Sequence, residues 1–563
     1  MPKTYSVKEK TSDDLVKQLL SNRGITDESE IHDFLNPNFE KHLHDPFLLP
    51  QMQEAVDRII FAIEHNEKIG IWSDYDADGI PGGALLHDFF KLIGYKNFIN
   101  YIPDRHDEGY GLNEDGVEEL ARVGVKLLIT IDCGVRDHGE IAHAKKLGMD
   151  VIVTDHHEPG EDLPPALAIV NHKLTDAKYP EQVLCGSGVV WKLIEAIRLT
   201  AISRNKPFDF AHGQEKWLLD LVGIATLSDM VPLRGENRAL AHFGLKVLQK
   251  TRRPGLRTLY SMLKINSASV SEDDIGFLIT PRINAASRMG KPMDAFDLLV
   301  AEEDHVAEGL ARHLDSINNE RKGIVASIVK EAKKLIEKKF ESLGKKNVIV
   351  LGNPDWRPSL LGLAANSLAE EYNMPVFLWG REGGNKIKGS CRSDGATDLV
   401  AIMERAKDNF EEFGGHKLSG GFAVKDDAIH TLEQAILDAS LHSAAENFAE
   451  VADAYLTLRD VNMDIAREIQ KLAPFGVGNG KPLFIFENII PERVDKFGKS
   501  KDHLSVTLRD GATKVKAIGF FCSPDAWGDA LKEGISTNLA ANIELSNWNG
   551  RKEVRLRIVD FFK

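Results

Sequence analysis

From residue 68 onward, short apolar runs alternate with stretches whose apolar positions recur every three or four residues. Lys68-Ile-Gly-Ile-Trp-Ser73 has the length and β-branched content of a buried strand, and residues 98–102, 127–131 and 151–154 repeat that pattern. Helical spacing fills the intervals: an apolar stretch from the first run to about Leu92, then residues 113–123 and 139–147. Strand and helix in this order predict a parallel sheet with crossover helices. Residues 186–200 and 216–229 read as buried helices. Residues 304–343 are charged, free of proline and helical in spacing, a suitable length for a helix joining two domains. A second strand–helix unit begins at Asn347-Val-Ile-Val-Leu351. Beyond about Val451 come short strands, at 482–486, 504–508, 514–518, 538–545 and 553–559, which suggest a small barrel. Residues 1–45 are polar, broken by Asn36-Pro37-Asn38, and read as a helical lead-in. The expected organisation is α/β: a lead-in (1–45), a parallel-sheet domain (46–300), a connecting helix (301–345), a second α/β domain (346–445) and a barrel (446–563).

At 563 residues the chain exceeds a single core. No apolar run reaches the ~18–20 residues that span a bilayer, and the first ten residues lack a signal-peptide core. The expected compartment is therefore cytoplasmic, with no membrane partner. The four cysteines, Cys133, Cys185, Cys391 and Cys522, lie far apart, against a disulfide framework or structural zinc; Cys133 reads as a small buried thiol. A net charge of −15 argues against indiscriminate polyanion binding. Residues 250–264 nevertheless hold five basic side chains and no acid, and residues 493–516 hold seven against three. Each alone reads as a solvated face.

Three acidic or histidine clusters stand just past three of the strands: Asp74-Tyr-Asp76-Ala-Asp78-Gly79, Asp132-Cys-Gly134 and Asp155-His156-His157. In an open α/β sheet the crevice outside the carboxyl ends of the strands is where ligands bind, so these clusters are expected to converge. Aspartate oxygens with one or two imidazoles suit Mn²⁺ or Mg²⁺ better than Zn²⁺. Asp229 ends an apolar helical pattern and reads equally as a cap or a ligand. Such an inventory is sufficient for two ions ~3.5–4 Å apart, an arrangement that activates water and stabilises the leaving oxygen of a phosphate ester. His87, His106, His138 and His143 read as surface or capping residues.

These residues resemble the DHH phosphoesterase superfamily. Asp76-Ala-Asp78-Gly79 is similar to its first motif, Asp132 to its second, Asp155-His156-His157 to the triplet that names it, and Leu227-Ser-Asp229-Met-Val-Pro232 to its fourth. Further blocks resemble the RecJ branch, whose members degrade single-stranded DNA from the 5′ end. They are Ile102-Pro-Asp-Arg105 with Glu108-Gly-Tyr-Gly-Leu112, Pro281-Arg282-Ile-Asn284-Ala-Ala-Ser-Arg288-Met289, Lys388-Gly-Ser390-Cys-Arg392-Ser393, Phe413-Gly-Gly-His416 with Gly420-Gly-Phe422, and Ala473-Pro-Phe-Gly-Val-Gly-Asn479. Ser287 stands where glycine is common and Gly480 where proline is common. The resemblance covers roughly residues 40–563.

It implies a DHH domain, a DHH-associated domain and an oligonucleotide-binding (OB) barrel. It implies that Asp76, Asp78, Asp132, His156 and Asp229 hold two Mn²⁺ or Mg²⁺ ions, Asp132 bridging them, with Asp74 and Asp155 orienting ligands from behind. His157 would meet the scissile phosphate, and His416 with the Gly414-Gly415 backbone would grip it from the second domain. Arg105, Arg282, Asn284, Ser390 and Arg392 would bind the substrate, the last two with Arg282 at its 5′ end. The implied partner is single-stranded DNA, with a single-strand-binding protein and a helicase as protein partners and a monomeric state. Two alternatives stand beside it: a DHH phosphoesterase of short oligonucleotides or other small phosphates, which generally lacks the barrel, and a non-catalytic nucleic-acid-binding scaffold, which loses metal-site acids.

Overall fold

The computed structural model describes residues 5–204, 213–344, 346–381, 386–441, 450–498, 501, 503–524, 527–548 and 551–563. In the first domain five parallel strands lie in the order Phe98–Tyr101, Lys68–Ser73, Val125–Ile131, Asp150–Thr154 and Ala168–Val170. Helices cover both faces, which is why the central strands are apolar throughout rather than alternating. Ile59, Phe89 and Ile194 from three helices pack with Ile71 and Ile129 on one face. Val117 and Ile141 pack with Trp72 and Leu128 on the other. The chain winds both ways from Lys68–Ser73: Phe98–Tyr101 adjoins it on one side and Val125–Ile131 on the other. The carboxyl ends of Lys68–Ser73 and Val125–Ile131 therefore bound a crevice at a topological switch point.

The helix Asp304–Leu343 has 40 residues, about 60 Å of rise. Its first half places Ala307, Ala311 and Leu314 in the core of the first domain, and its second half places Ile328, Ala332 and Ile336 in that of the next. That second domain carries a mixed sheet in the order Phe410–His416, Ser419–Val424, Ile387–Arg392, Val376–Gly380 and Ile349–Gly352. In the C-terminal domain, Phe484–Phe497, His503–Asp510, Thr513–Gly519, Arg551–Phe562 and Thr537–Trp548 pair in turn, and Thr537–Trp548 pairs back onto Phe484–Phe497. A closed five-stranded barrel results.

Two features depart from the sequence reading. The lead-in is not only helical: Tyr5–Val7 pairs in parallel with Glu450–Ala452, while Val16, Leu19, Leu20 and Phe34 join Phe484, Val506 and Leu539 in the barrel's core. The N-terminus thus belongs to the C-terminal domain, a pairing between residues far apart in the chain that no local pattern encodes. The first barrel strand is also much longer than residues 482–486. Its register shifts between Phe486 and Ile489 and between Pro491 and Arg493 break the alternation that would have revealed it.

Arg238 locks the barrel to the catalytic domain. Its buried guanidinium lies 3.7 Å over the Phe34 ring and donates to the carbonyls of Phe34 (2.8 Å), Leu472 (3.0 Å) and Ala473 (3.0 Å). Arg238→Ala strands those carbonyls and is expected to destabilise the barrel's docking by about 2–4 kcal/mol. Calorimetry should then resolve a separate, earlier barrel transition; one unshifted transition would contradict this.

Candidate metal centre and active site

The turn after Lys68–Ser73 is built on its own carboxylates. Asp76 Oδ1 accepts the N–H groups of Asp78 (2.7 Å) and Gly79 (3.1 Å), and Asn284 Oδ1 accepts that of Ala77 (3.0 Å). Asp78 lies across the N-terminus of the helix Gly186–Ser203, accepting from Gly186 (2.6 Å) and Ser187 (2.8 Å). Asp132 follows Val125–Ile131 at φ 63°, a left-handed conformation that aspartate tolerates better than most residues. A Cβ on Gly186 would stand 2.6 Å from that of Asp132, so this close approach of helix and strand end requires glycine.

His156 sits among three carboxylates. Its Nε2 is 3.0 Å from Asp132 and 3.8 Å from Asp78, and its Nδ1 is 3.8 Å from Asp229. His157 Nδ1 lies 2.8 Å from Asp155 and 3.1 Å from the Tyr110 hydroxyl. Asp155 is fully engaged: one oxygen accepts the backbone N–H groups of His156 and His157, the other that of Val135. Its Oδ1 thus ties the two histidines together, while Oδ2 holds the turn after Val125–Ile131. The ligand atoms of Asp132, His156 and His157, of Asp78, His156 and Asp229, and of Asp74, Asp76 and Asp132 fall into groups within 4.8 Å. Asp132 belongs to two of these groups.

Divalent cations fit this donor set. Among the described residues, Oδ1 of Asp74 is buried without a hydrogen-bond partner, and Oδ1 of Asp132, likewise buried without one, has the His156 ring 3.0 Å away, an expensive arrangement unless something positive meets them. Burial, then the charges of neighbouring carboxylates, pushes Asp74 and Asp132 well above the ordinary aspartate range. The same causes, Asp78 and Asp76 being the neighbours, raise Asp229 to about 9. Burial lowers His156 against the pull of Asp78, which keeps its imidazole neutral. Burial works against His157 too, but its bond to Asp155 holds it above the ordinary histidine value.

These carboxyls are harder to ionise folded than unfolded, so their sign is destabilising wherever the unfolded chain is already ionised. The metal-free protein is therefore expected to lose stability as pH rises from about 4 through 9. Mn²⁺ should restore it increasingly across that range. Thermal unfolding with EDTA and with Mn²⁺ at pH 6 and 9 measures both; a metal-induced rise in Tm no larger at pH 9 would contradict it.

The remaining expected site residues divide. Ser390 and Arg392 share one face of Ile387–Arg392, alternating with buried Cys391. A Cβ on Gly362 would stand 2.7 Å from Arg392 Nη2, so the helix Pro358–Tyr372 leaves room for the guanidinium. Arg105 lies 4.9 Å over the Tyr75 ring. Neither Arg392 nor Arg105 forms an ion pair among the described residues. Gly414, Gly415 and His416 end an exposed hairpin strand. Gly415, at φ 142°, leaves no space for a side chain against the Ser419 carbonyl. Among the described residues, His416 makes no hydrogen bond to the carboxylate cluster. Arg282 and Asn284 are engaged within the protein: Arg282 pairs with Asp315 of the connecting helix (2.6 Å) and donates to the Leu278 carbonyl (2.6 Å), and the Asn284 oxygen holds the acidic turn. His87, expected at the surface, instead packs between Phe98 and Phe296 and bonds Asn100. In the basic stretch 250–264, Arg253 is buried in ion pairs with Asp220 (2.7 Å) and Asp88 (2.5 Å).

Two residues of the motif blocks gain roles only in the structure. Tyr110 turns its hydroxyl to His157 and to the Asp132 carbonyl (3.2 Å) while its ring stays exposed. Arg288 reaches from the first domain to the Ser359 carbonyl of the second (2.7 Å). Burial, with Arg105, Arg321 and Arg392 nearby, pushes its guanidinium down to about 9. Arginines crowded together, without ion-pair partners among the described residues, have the chemistry to receive a phosphate. Farther away, the barrel exposes an aromatic chain. Phe497 lies 5.3 Å from His503, His503 lies 4.7 Å from Phe521, and Arg557 stands 4.1 Å over Phe520. Phe521 is 81% exposed. The surrounding segment 493–516 is less positive than its composition suggests, because Arg493 pairs with Asp495 and Lys514 with Glu492. Its residues 499, 500 and 502 lie outside the described residues.

A parallel sheet whose switch point gathers aspartates and a histidine from three strand ends, opposite an arginine-bearing second domain, defines a DHH phosphoesterase. Family models agree: the DHH family N-terminal domain matches residues 68–226, the DHHA1 domain 345–442 and the RecJ OB domain 452–560. The chain belongs to the RecJ family. It is 34% identical over 551 residues to the single-stranded-DNA-specific exonuclease RecJ of Bacillus subtilis (strain 168), covering 97% of this chain and 67% of that protein. It is 32% identical to the corresponding Haemophilus influenzae protein, covering 93% and 92%. The crystal structure of RecJ in complex with Mn²⁺ from Thermus thermophilus superimposes with a TM-score of 0.80 at 25% identity, covering 100% of this chain and 79% of that one. A structure of exonuclease RecJ bound to manganese gives 0.59 at 29%, covering 70% and 96%.

Proposed function

We propose that this protein is a metal-dependent exonuclease that hydrolyses single-stranded DNA from its 5′ end, acting in DNA repair and recombination. The observation that carries the reading is the crevice where Asp74, Asp76, Asp78, Asp132, His156 and Asp229 converge, faced by Arg105, Arg288 and Arg392. Asp76, Asp78, Asp132, His156 and Asp229 would hold two Mn²⁺ or Mg²⁺ ions, with Asp132 between them. When bound, such ions supply positive charge that activates water and neutralises the leaving oxygen. The chain's own residues do the rest. Asp155 fixes both histidines, His157 presents an imidazole to the scissile phosphate, and His416 approaches it from the second domain. Ser390 and Arg392 hold the terminal 5′-phosphate. All the acids of the proposed ligand set are present, which disfavours a non-catalytic scaffold, and the barrel favours a polymer over a small phosphate ester. The protein works as a cytoplasmic monomer, with a single-strand-binding protein and a helicase presenting its strand. No helix among the described residues is long and apolar enough to cross a membrane.

The barrel's aromatic chain would stack bases without regard to sequence. Phe521→Ala is expected to weaken binding of long single strands about tenfold, the loss of one stacked base, while leaving hydrolysis of a saturating short oligonucleotide unchanged. Fluorescence anisotropy and single-turnover cleavage separate the two effects; undiminished affinity for long strands would remove the platform. Excising the whole barrel is the poorer test, because the N-terminal residues share its core.

A further inference from the structure

A groove of about 740 Å³ lies between the second half of the connecting helix and the helix Pro358–Tyr372. Lys322, Lys330 and Lys334 stand on its rim at helical spacing, and Val325, Val329 and Leu363 form its floor. None of the three lysines forms an ion pair among the described residues. The groove adjoins the catalytic cleft at its inner end. Arg321, which lines the groove, stands near Arg288 of the cleft, and its buried Nε has no hydrogen-bond partner among the described residues. Burial, with Arg282 and Arg321 nearby, lowers Lys322, a crowding that an anion would relieve. At the outer end acids temper the charge: Lys333 pairs with Glu371 at 2.6 Å, and Glu337 lines the groove.

We propose that this groove binds a nucleoside 5′-monophosphate, the product of the exonuclease, and conducts it away from the cleft. The inference rests on the exonuclease reading above. Hydrolysis at the strand's end leaves a dianionic nucleotide beside Arg392, and Arg321, which lines the lysine-rimmed groove, belongs with Arg392 to the arginines gathered around Arg288. The groove's volume is that of a small-ligand site. Its floor is aliphatic, suited to one base, and it lacks the aromatic platforms by which proteins follow a longer single strand. A positive inner end and a partly neutralised outer end favour capture followed by release.

The test is calorimetric titration of the Mn²⁺-loaded full chain with dAMP, comparing wild type with Lys330→Glu/Lys334→Glu. Both lysines are exposed, so the variant should fold. Wild type is expected to show a second dAMP site beyond the catalytic one. In the variant that site should weaken at least about tenfold, through charge reversal at two positions. Product inhibition by dAMP should fall in parallel, while single-turnover cleavage stays unchanged. The proposal is overturned if wild type and variant bind dAMP alike, or if adenosine binds as well as dAMP. It is also overturned if the variant instead loses affinity for long single strands or for an acidic peptide, because the groove would then serve another occupant. Failure of the exonuclease reading would appear separately, as wild type that does not cleave single strands at all.

Discussion

Asp132→Ala is expected to reduce hydrolysis at least about a hundredfold, a loss of ~2.7 kcal/mol in transition-state stabilisation, while thermal unfolding stays cooperative. Asp132 is buried, its Oδ1 makes no hydrogen bond among the described residues and has the His156 ring 3.0 Å away, and its charge is opposed by Asp78, Asp76 and Asp74. Removing it relieves repulsion in the metal-free protein. Alanine at φ 63° costs about 1 kcal/mol in backbone strain. Asp132→Asn avoids that cost, since asparagine accepts the left-handed conformation, and should be equally inactive. Retention of more than about a tenth of the wild-type rate would contradict the bridging role. Asp78 makes a less clean test, because its carboxylate also caps the helix Gly186–Ser203 and its loss would weaken both metal site and fold.

The second large effect is expected at Arg392. A terminal phosphate carries more charge than an internal diester, and Arg392 offers a guanidinium without a carboxylate partner among the described residues, on the same strand face as the Ser390 hydroxyl. Arg392→Ala should slow cleavage of 5′-phosphorylated strands about 10- to 100-fold, the range of a charge-assisted, two-pronged contact. Strands with a 5′-hydroxyl should suffer less, so the preference for phosphate is blunted. Arg392→Lys should recover part of the loss, keeping charge but not the planar fork. Mn²⁺ binding should be unaltered in both variants. Equal losses on phosphorylated and hydroxyl-ended strands would remove the 5′-pocket assignment.

Much of this was legible in the sequence, for identifiable reasons. The strands preceding Asp74, Asp132 and Asp155 are buried on both faces, so their apolar runs stood out, and parallel winding placed their ends together. The 40-residue helix announced itself by unbroken spacing. Arg282 and Asn284 illustrate the limit: a motif gives residue types in order, but whether a guanidinium faces solvent or Asp315 depends on packing between segments. Arg288 and Tyr110 stand within the motif blocks, yet the bond of Arg288 to Ser359 in the second domain and those of Tyr110 to His157 and Asp132 emerge only from tertiary structure. The pairing of Tyr5–Val7 with Glu450–Ala452 left no local signature at all.

Strand polarity offers the most direct test of the central claim. Linear single strands labelled at the 5′ or the 3′ end, together with a circular strand, would be incubated with the Mn²⁺-loaded protein and sampled before completion. The 5′ label is expected to appear at once as mononucleotide, the 3′ label to stay in progressively shorter strands, and the circle to remain intact. Early release of the 3′ label, or degradation of the circle, would contradict the account.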